Sequence, residues 1–141
     1  IYIQAWMLKA LNSWLASELE QNTRLALLGD FNIAPADEDV HDPKAWEGQN
    51  LVSPPERDAF QDLLKLGLTD SFRMFEQAPK TFSWWDYRMM GFRRNAGMRI
   101  DHILLSDALK EKCSGSIVDK EPRTWEQPSD HAPVIATIES K

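Results

Sequence analysis

The feature that most constrains the fold of this chain is a set of short apolar runs, each lying directly beside polar residues. The runs are Leu25 to Leu28, followed by Gly29-Asp30-Phe31-Asn32; Met98 to Leu105, which contains Asp101; and Pro133 to Ile138, preceded by Ser129-Asp130-His131. Short runs of this kind are typical of strands rather than helices. The pattern predicts strands that meet at ends carrying polar motifs.

Two helices are predicted around these strands. Leucines that recur at three- and four-residue steps predict the first, from about Ile3 to Leu19. The second is expected to begin after Ser53, with Glu56 completing the cap, and to stop at Gly67. Further strands are predicted at Thr81 to Trp85 and Ser116 to Val118, a connection at Leu68 to Phe75, and long loops at Phe31 to Pro55 and Tyr87 to Gly97. Together these elements predict a mixed α/β domain.

The charge of the chain is acidic overall but basic in one segment. The formal net charge is -6, which is a poor global match to nucleic acid, because DNA-binding surfaces are usually basic. The segment from Arg88 to Arg99, however, holds four arginines and no acidic residue. A site for a divalent cation also needs clustered carboxylates, so a negative net charge does not exclude a phosphate substrate.

The cysteine content and the apolar runs bear on the compartment. One cysteine, Cys113, allows no internal disulfide, which suits a reducing cytosol. The apolar runs are far too short for a membrane span, and the first residues lack the basic lead and cleavage pattern of a secretory signal. We therefore expect a cytoplasmic protein without a membrane-spanning segment.

The motif Gly29-Asp30-Phe31-Asn32 is the first candidate for chemistry. A carboxylate and an amide stand two residues apart beyond an apolar strand. Asp30 can orient or deprotonate a water molecule, and Asn32 can donate to a phosphate oxygen. The alternative is a strand end followed by an Asx-type turn.

Asp101 and the pair Asp130-His131 are the next candidates. If Met98 to Leu105 is one strand, Arg99 and Asp101 share a face with an isoleucine, while His102 points to the other face. A carboxylate on an apolar face is costly to bury unless it is paired, and His131 is the favoured partner. The alternatives are a salt bridge from Asp101 to Arg99 or another arginine and, for the Asp-His pair, a plain capped strand start.

Two further clusters also allow two interpretations each. The adjacent Trp84 and Trp85 face opposite sides of a strand, so that one can fill the core while the other lines a cleft that contacts a sugar or base. The alternative is that both rings are structural. The acids around His41, at positions 37 to 42, are interpreted as a solvated loop rather than a metal cluster.

Taken together and in this order, the motifs resemble those of exonuclease III-like AP endonucleases in the endonuclease/exonuclease/phosphatase superfamily. The matching segments are Gly29-Asp30-Phe31-Asn32-Ile33-Ala34-Pro35, His41-Asp42-Pro43, Thr81-Phe82-Ser83-Trp84-Trp85-Asp86-Tyr87-Arg88, Gly97-Met98-Arg99-Ile100-Asp101 and Ser129-Asp130-His131-Ala132-Pro133. The resemblance covers essentially the whole chain. Its most specific part is the tryptophan segment joined to the arginine loop, because lipid and inositol phosphatases of the superfamily share the first motif.

The resemblance implies catalytic roles for five residues. Asp30 would position or activate the attacking water, and Asn32 would hydrogen-bond the scissile phosphate. Asp101 would orient His131, whose imidazolium would stabilise charge on the phosphoryl oxygens. Asp130 would serve a divalent metal site that takes Mg²⁺, with Mn²⁺ as an alternative.

The resemblance also implies a substrate and the residues that contact it. The parent activity would be cleavage of double-stranded DNA 5′ to an abasic site, together with removal of nucleotides from 3′ ends. Trp84 and Met98 would line the pocket for the base-less sugar. Arg88, Arg93 and Arg94 would lie in a DNA-facing loop.

The implied fold is a DNase I-like two-layer β-sandwich flanked by helices (α/β, or α+β), with residues 1–141 as its carboxyl-terminal half. The resemblance implies that the amino-terminal half, which supplies a metal-binding glutamate, an early asparagine and a phosphate-contacting tyrosine, is absent from this sequence. We therefore expect this chain alone to be inactive or very weak. We also expect an uncovered apolar sheet face that favours self-association.

Two rival functions follow from the same motifs. One is another phosphodiesterase or phosphatase of the superfamily, acting on a lipid or inositol phosphate; the Thr81–Arg88 segment and the arginine loop argue against it. The other is a non-catalytic fragment that binds DNA or pairs with another chain.

Overall fold

The structure, a computed structural model, describes residues 3–140. Its α-helices are α1 (Ile3–Gln21), α2 (Pro43–Trp46), α3 (Pro54–Lys65) and α4 (Asp107–Lys110). Its strands are β1 (Ala26–Asp30), β2 (Leu68–Asp70), β3 (Trp84–Trp85), β4 (Gly97–Met98), β5 (Asp101–Ser106), β6 (Cys113–Val118) and β7 (Val134–Ile138). Short 3₁₀ turns cover Asp37–Asp39, Ser71–Met74, Arg88–Met90 and Glu121–Thr124.

Both predicted long helices are confirmed, and the second starts for the predicted reason. Glu56 accepts hydrogen bonds from the backbone nitrogen and the hydroxyl of Ser53, at 3.1 and 2.8 Å. Gly67 follows the helix with a φ of +106°, a left-handed backbone that favours glycine. Among residues 3–140, no helix combines the length and the apolar character needed to cross a membrane.

The central sheet has three antiparallel strands in the order β1-β5-β2. Helices α1 and α3 cover one face, where Leu15, Phe60, Leu63 and Leu104 form a buried cluster. This packing fixes which side chains of β1 and β5 face the helices and which face away from them.

The expected strand from Met98 to Leu105 is broken in two, which corrects the predicted faces. Arg99 and Ile100 lie between β4 and β5, and the backbone nitrogen of Arg99 donates to the carbonyl of Asp39 at 2.9 Å. Alternation of faces holds only along a continuous strand. Arg99 therefore lies beside His102, 3.1 Å from its Nδ1, instead of sharing the face of Asp101.

The expected connection from Leu68 to Phe75 is also corrected, because it contains β2 and a 3₁₀ turn. β2 pairs with the free edge of β5, where Asp70 lies opposite Leu104. The backbone groups along the edge of a buried strand need hydrogen-bond partners. This requirement outweighs the weak strand signal in the local sequence of β2. Of the strand predicted at Thr81 to Trp85, only β3 pairs as a strand.

Two hairpins complete the fold. In the β3-β4 pair, Trp84 lies opposite Met98. In the β6-β7 pair, Ile117 lies opposite Ile135, and both side chains are exposed. The segment between β6 and β7 returns past β3, because the backbone nitrogen of Ala132 donates to the carbonyl of Ser83 at 2.8 Å. This contact brings the residues before β7 to the ends of β1 and β5.

Candidate functional site

Two carboxylates face each other where β1 ends and β5 begins. Asp30 and Asp101 are directly opposite in the antiparallel register, so their side chains share one face of the sheet. Their side chains are 37% and 17% exposed. Like charges directly opposite each other are unfavourable, and this end of the sheet therefore favours a nearby cation.

His131 contacts both carboxylates of this pair. Its Nδ1 lies 2.8 Å from Oδ2 of Asp101, and its Nε2 lies 3.7 Å from Oδ2 of Asp30. The predicted contact between Asp101 and His131 is thus present. The alternative partner, Arg99, instead forms ion pairs with Asp39 and Asp70 at 2.7 Å each.

The surroundings of Asp101 shift its titration. Burial raises the pKa of this carboxyl, hydrogen bonds from Ser83 and His131 oppose the rise, and the charge of Asp30 adds to it. The Oγ of Ser83 also accepts the backbone N–H of Ile100 and of Asp101, at 3.0 and 3.1 Å. Ser83 was not predicted as a site residue, although it is a polar residue flanked directly by Phe82 and Trp84.

Asn32 lies in a tight turn directly beyond Asp30. Its φ is +52°, a left-handed conformation that asparagine tolerates better than most residues. Its backbone nitrogen donates to Oδ1 of Asp30 at 2.9 Å, which is the Asx-type turn considered as the alternative. Gln4, which sequence reasoning missed, donates to the carbonyls of Phe31 and Asn32. The turn fixes Asp30 and leaves Asn32 exposed.

Asp130 is tied to Trp84, which changes its expected place. The indole Nε1 of Trp84 donates to Oδ2 of Asp130 at 3.0 Å. The closest group of potential ligand atoms among residues 3–140, with all distances within 4.8 Å, comprises Asp30, Asp101 and His131. Asp130, which was predicted to serve the metal site, therefore lies outside this group, although it directly precedes His131 in the sequence.

The two adjacent tryptophans differ in burial. Trp85 is fully buried and its Nε1 donates to Oδ1 of Asn95 at 3.0 Å, whereas Trp84 is half-buried and pairs with His131 in an isolated bridge. Met98, the other residue predicted to line the pocket, is fully buried, with 0% exposure. It belongs to the apolar cluster against which Trp84 packs.

The predicted DNA-facing arginines are not equivalent. Arg88 is bound to Asp86 at 2.7 Å, and its hydrogen bonds lower the pKa of that carboxyl to about 2. Arg93 and Arg94 are exposed. Nη1 of Arg94 donates to the carbonyl of Met89 at 3.2 Å, and within residues 3–140 no carboxylate forms an ion pair with Arg94.

The acidic loop around His41 forms structural contacts, and the buried Asp39 corrects the expectation that the whole loop is solvated. Asp37 pairs with Arg57 at 2.9 Å, and Asp42 caps α2 by accepting from the backbone nitrogen of Ala45. Asp39 is buried with Arg99. These pairings take up the charge of the loop.

The group Asp30, Asp101 and His131 suits an oxygen-seeking divalent cation. Mg²⁺ binds through one or two carboxylates, keeps several waters and contacts phosphate oxygens. An exposed carboxylate and a partly buried one share one imidazole here, so capacity for a further cation remains. A cavity of about 240 Å³ borders this group and extends between β1, β5 and the start of β7.

Residues 1–131 match the Endonuclease/Exonuclease/phosphatase family. The chain is 41% identical to Exodeoxyribonuclease III of Haemophilus influenzae over 133 residues, covering 89% of this chain and 50% of that protein. The chain spans about half the length of the curated relatives it matches.

Solved structures give the same picture. A 3′ phosphatase, NExo from Neisseria bound to a product DNA hairpin, has a TM-score of 0.91 and 45% identity, over 94% of this chain and 51% of that one. An AP endonuclease from Archaeoglobus fulgidus has a TM-score of 0.89 and 31% identity, over 96% of this chain and 53% of that one. The predicted mixed α/β, DNase I-like fold is thereby confirmed.

Proposed function

The chain belongs to the endonuclease/exonuclease/phosphatase family, and from that premise we propose that it carries one part of the active site of a DNA-repair phosphodiesterase. The reaction is hydrolysis of DNA phosphodiesters at abasic sites and from 3′ ends. The observation that supports it most is the group Asp30, Asp101 and His131 at the end of the central sheet, directly beside Trp84.

Asp30 and Asn32 act on the nucleophile and the phosphate. The Asx turn holds the Asp30 carboxylate at the strand end, where its second oxygen orients a water and accepts a proton from it. The exposed Asn32 amide donates to a phosphate oxygen. Fixed placement of both groups lowers the entropy cost of bringing water and phosphate into line.

Asp101 and His131 act on the developing charge. Asp101 accepts from Nδ1 of His131 and thereby fixes the ring, which leaves Nε2 directed toward Asp30. A protonated His131 donates from Nε2 to the phosphoryl oxygen that gains charge in the transition state.

We assign a divalent cation, Mg²⁺ or alternatively Mn²⁺, to the same end of the sheet. The closely spaced oxygens of Asp30 and Asp101 would hold it, with Asp130 as the neighbouring carboxylate. Bound there, it would neutralise negative charge on the phosphate oxygens.

We propose that the substrate is double-stranded DNA with an abasic or 3′-end lesion. Trp84 presents a partly exposed ring beside His131, and such a ring can pack on an extra-helical sugar. The exposed Arg93 and Arg94, with Arg88, provide the phosphate contacts. In a salt titration of DNA binding, Arg93→Ala should reduce the slope by about one, whereas Arg57→Ala should not.

The decisive experiment is a hydrolysis assay on an abasic duplex with Mg²⁺, with an inositol phosphate as the rival substrate. We propose that this chain alone turns over DNA far more slowly than a full-length relative, because its own carboxylates provide only part of a metal site. Turnover within about tenfold of that relative would contradict the claim of weak activity. Preference for the inositol phosphate would contradict the DNA assignment.

Two properties of the chain complete the proposal. Three apolar side chains are exposed: Leu28 at 64%, Ile117 at 54% and Ile135 at 43%. We propose that such positions favour self-association. Light scattering over a range of concentrations would detect it. We place the activity in the cytoplasm, which suits a chain with one cysteine. DNA binding without hydrolysis in any form of the protein would favour a non-catalytic role instead.

A further inference from the structure

Arg123 is an arginine buried among aromatic rings. It lies in the turn Glu121–Thr124, and only 6% of its surface is exposed. Its guanidinium carbon lies 4.7 Å from the ring centre of Phe92, 5.6 Å from that of Tyr87 and 5.7 Å from that of Trp85. The electron-rich faces of aromatic rings attract a cation, so these three rings form a cage around it.

The charge of Arg123 is compensated differently from that of Arg99. Arg99, which is also buried, forms two ion pairs, whereas within residues 3–140 no carboxylate forms an ion pair with Arg123. Its Nη1 donates to the carbonyl of Ser129 at 2.8 Å, and its Nε has no hydrogen-bond partner in the described chain. Burying an arginine without an ion pair is costly, so the cage and this one carbonyl carry the compensation.

The cage is joined to the segment that carries His131. Three consecutive carbonyls there accept hydrogen bonds: that of Pro128 from Tyr87 at 2.7 Å, that of Ser129 from Arg123, and that of Asp130 from the backbone nitrogen of Trp85 at 3.1 Å. Two of the three donors belong to residues whose rings form the cage. Cage and segment therefore form one packed unit.

This unit also contains the base of the arginine loop. Tyr87 and Phe92 flank the turn that presents Arg88 to solvent, and Arg93 follows directly. We propose that Arg123 is a positioning residue. Its caged guanidinium holds the arginine loop and the segment ending at His131 in one arrangement, so that DNA bound by the loop meets the imidazole. Only the clause about DNA rests on the proposed function.

The test compares Arg123→Met and Arg123→Lys with Arg57→Met as the control. Arg57 also donates to a backbone carbonyl, that of Ala34 at 3.0 Å, but on the far loop. Amide hydrogen exchange is measured by NMR at Trp85 and Ala132, with Leu104 in β5 as the internal reference. In Arg123→Met, exchange at the first two amides should rise by about tenfold relative to Leu104, and the control should leave this ratio unchanged.

Equal acceleration at all three amides would overturn the proposal, because Arg123 would then be a general stabiliser. No acceleration at any of them would also overturn it, because Arg123 would then be irrelevant to this segment. If Arg123→Met does not fold, Arg123→Lys decides by the same ratio, since lysine keeps the charge but loses the planar group that stacks and reaches Ser129.

A kinetic comparison separates this proposal from the proposed function. In a form of the protein that cleaves abasic DNA, Arg123→Lys should lower kcat by about tenfold with a smaller change in Kd for DNA. If no form of the protein cleaves DNA, the proposed function fails. The exchange ratio then still tests the positioning role of Arg123. An unchanged kcat in a cleaving form would overturn the link to His131.

Discussion

Asp101 and His102 are consecutive residues of β5 that serve two different charged sites on opposite faces of one sheet. On the helix side, His102 is 1% exposed and lies 3.1 Å from Nη1 of Arg99, which in turn pairs with Asp39 and Asp70. On the other side, Asp101 is partly exposed and shares one imidazole with Asp30. The buried site has a partner for each charge, whereas the open site has an excess of negative charge.

This difference separates a structural charge network from a chemical one. The pKa of His102 falls from 6.5 to about 4, because burial and the neighbouring Arg99 both disfavour a second positive charge. The pKa of Asp101 rises, because burial and Asp30 disfavour its negative charge more than its hydrogen bonds favour it. The first shift keeps a group neutral within the core, and the second makes room for a proton or a metal ion.

The largest expected effect is on the buried side. Arg99→Met leaves Asp39 and Asp70 as buried carboxylates without their shared partner, so it should lower the free energy of unfolding by about 3–5 kcal/mol. Urea denaturation measures the change. Arg73→Met, which removes a one-third-exposed partner of Asp39, is the control and should cost clearly less. Equal losses of unfolding free energy in the two variants would show that the ion pairs of the buried Arg99 stabilise the fold no more than those of Arg73.

On the open side, His131→Ala should affect turnover far more than DNA binding. The role proposed for His131 is in the transition state, so kcat should fall by about 10²–10³ while Kd for abasic DNA changes little. Both constants are measured in the form of the protein that cleaves DNA. His41→Ala, which alters a histidine bound to the carbonyl of Gly97, should leave kcat unchanged. A loss confined to Kd would instead assign His131 to binding.

The pH dependence of stability should differ in sign between the two faces. The folded pKa of His102 lies below its usual value, so the unfolded chain takes up a proton first as the pH falls. The stability from neutral His102 is complete above pH 6.5 and is lost as the pH falls toward about 4, by a total on the order of 3 kcal/mol. Asp101 acts oppositely, because a raised pKa favours the folded state at low pH.

Unfolding free energies from urea melts at several pH values would measure this slope. His102→Gln should flatten the slope between about pH 6.5 and pH 4, while His41→Gln should leave it in place. An unchanged slope in His102→Gln would place the acid sensitivity elsewhere.

The smallest effect concerns the like-charge pair. Burial is the main cause of the raised pKa of Asp101, and the charge of Asp30 adds to it. Asp30→Asn removes that added charge, so this pKa should fall, and stability should rise by only about 0.5 kcal/mol because Asp30 is more than a third exposed. NMR titration of the Asp101 carboxyl measures the shift. Asp58→Asn, on the exposed side of α3, is the control. A rise in the pKa of Asp101 would contradict the interpretation of the pair.

The sequence predicted those features that depend on local chemistry or on one regular element. The cap at Ser53 and Glu56 needs only four residues, and the helix from Ile3 needs only its leucine spacing. The contact between Asp101 and His131 was predictable from the cost of a carboxylate on an apolar face. These inferences hold because each depends on a single physical rule.

The remaining features depend on distant partners. Arg99 was assigned to the wrong face because a bond to Asp39, 60 residues away, interrupts the strand. Met98 is buried by neighbours from another loop, and β2 pairs only because β5 has an open edge. Arg123 gave no signal in the sequence, because its cage is assembled from residues more than 30 positions earlier in the chain.

The register between β1 and β5 has a consequence for how such a site can change during evolution or design. Asp30 meets Asp101 only because Leu28 is paired with Ile103 two residues back. One residue inserted in β1 would turn Asp30 to the helix side, and two would displace it by about 7 Å along the sheet. The juxtaposition of Asp30 and Asp101 therefore depends on an unchanged residue count in these two strands.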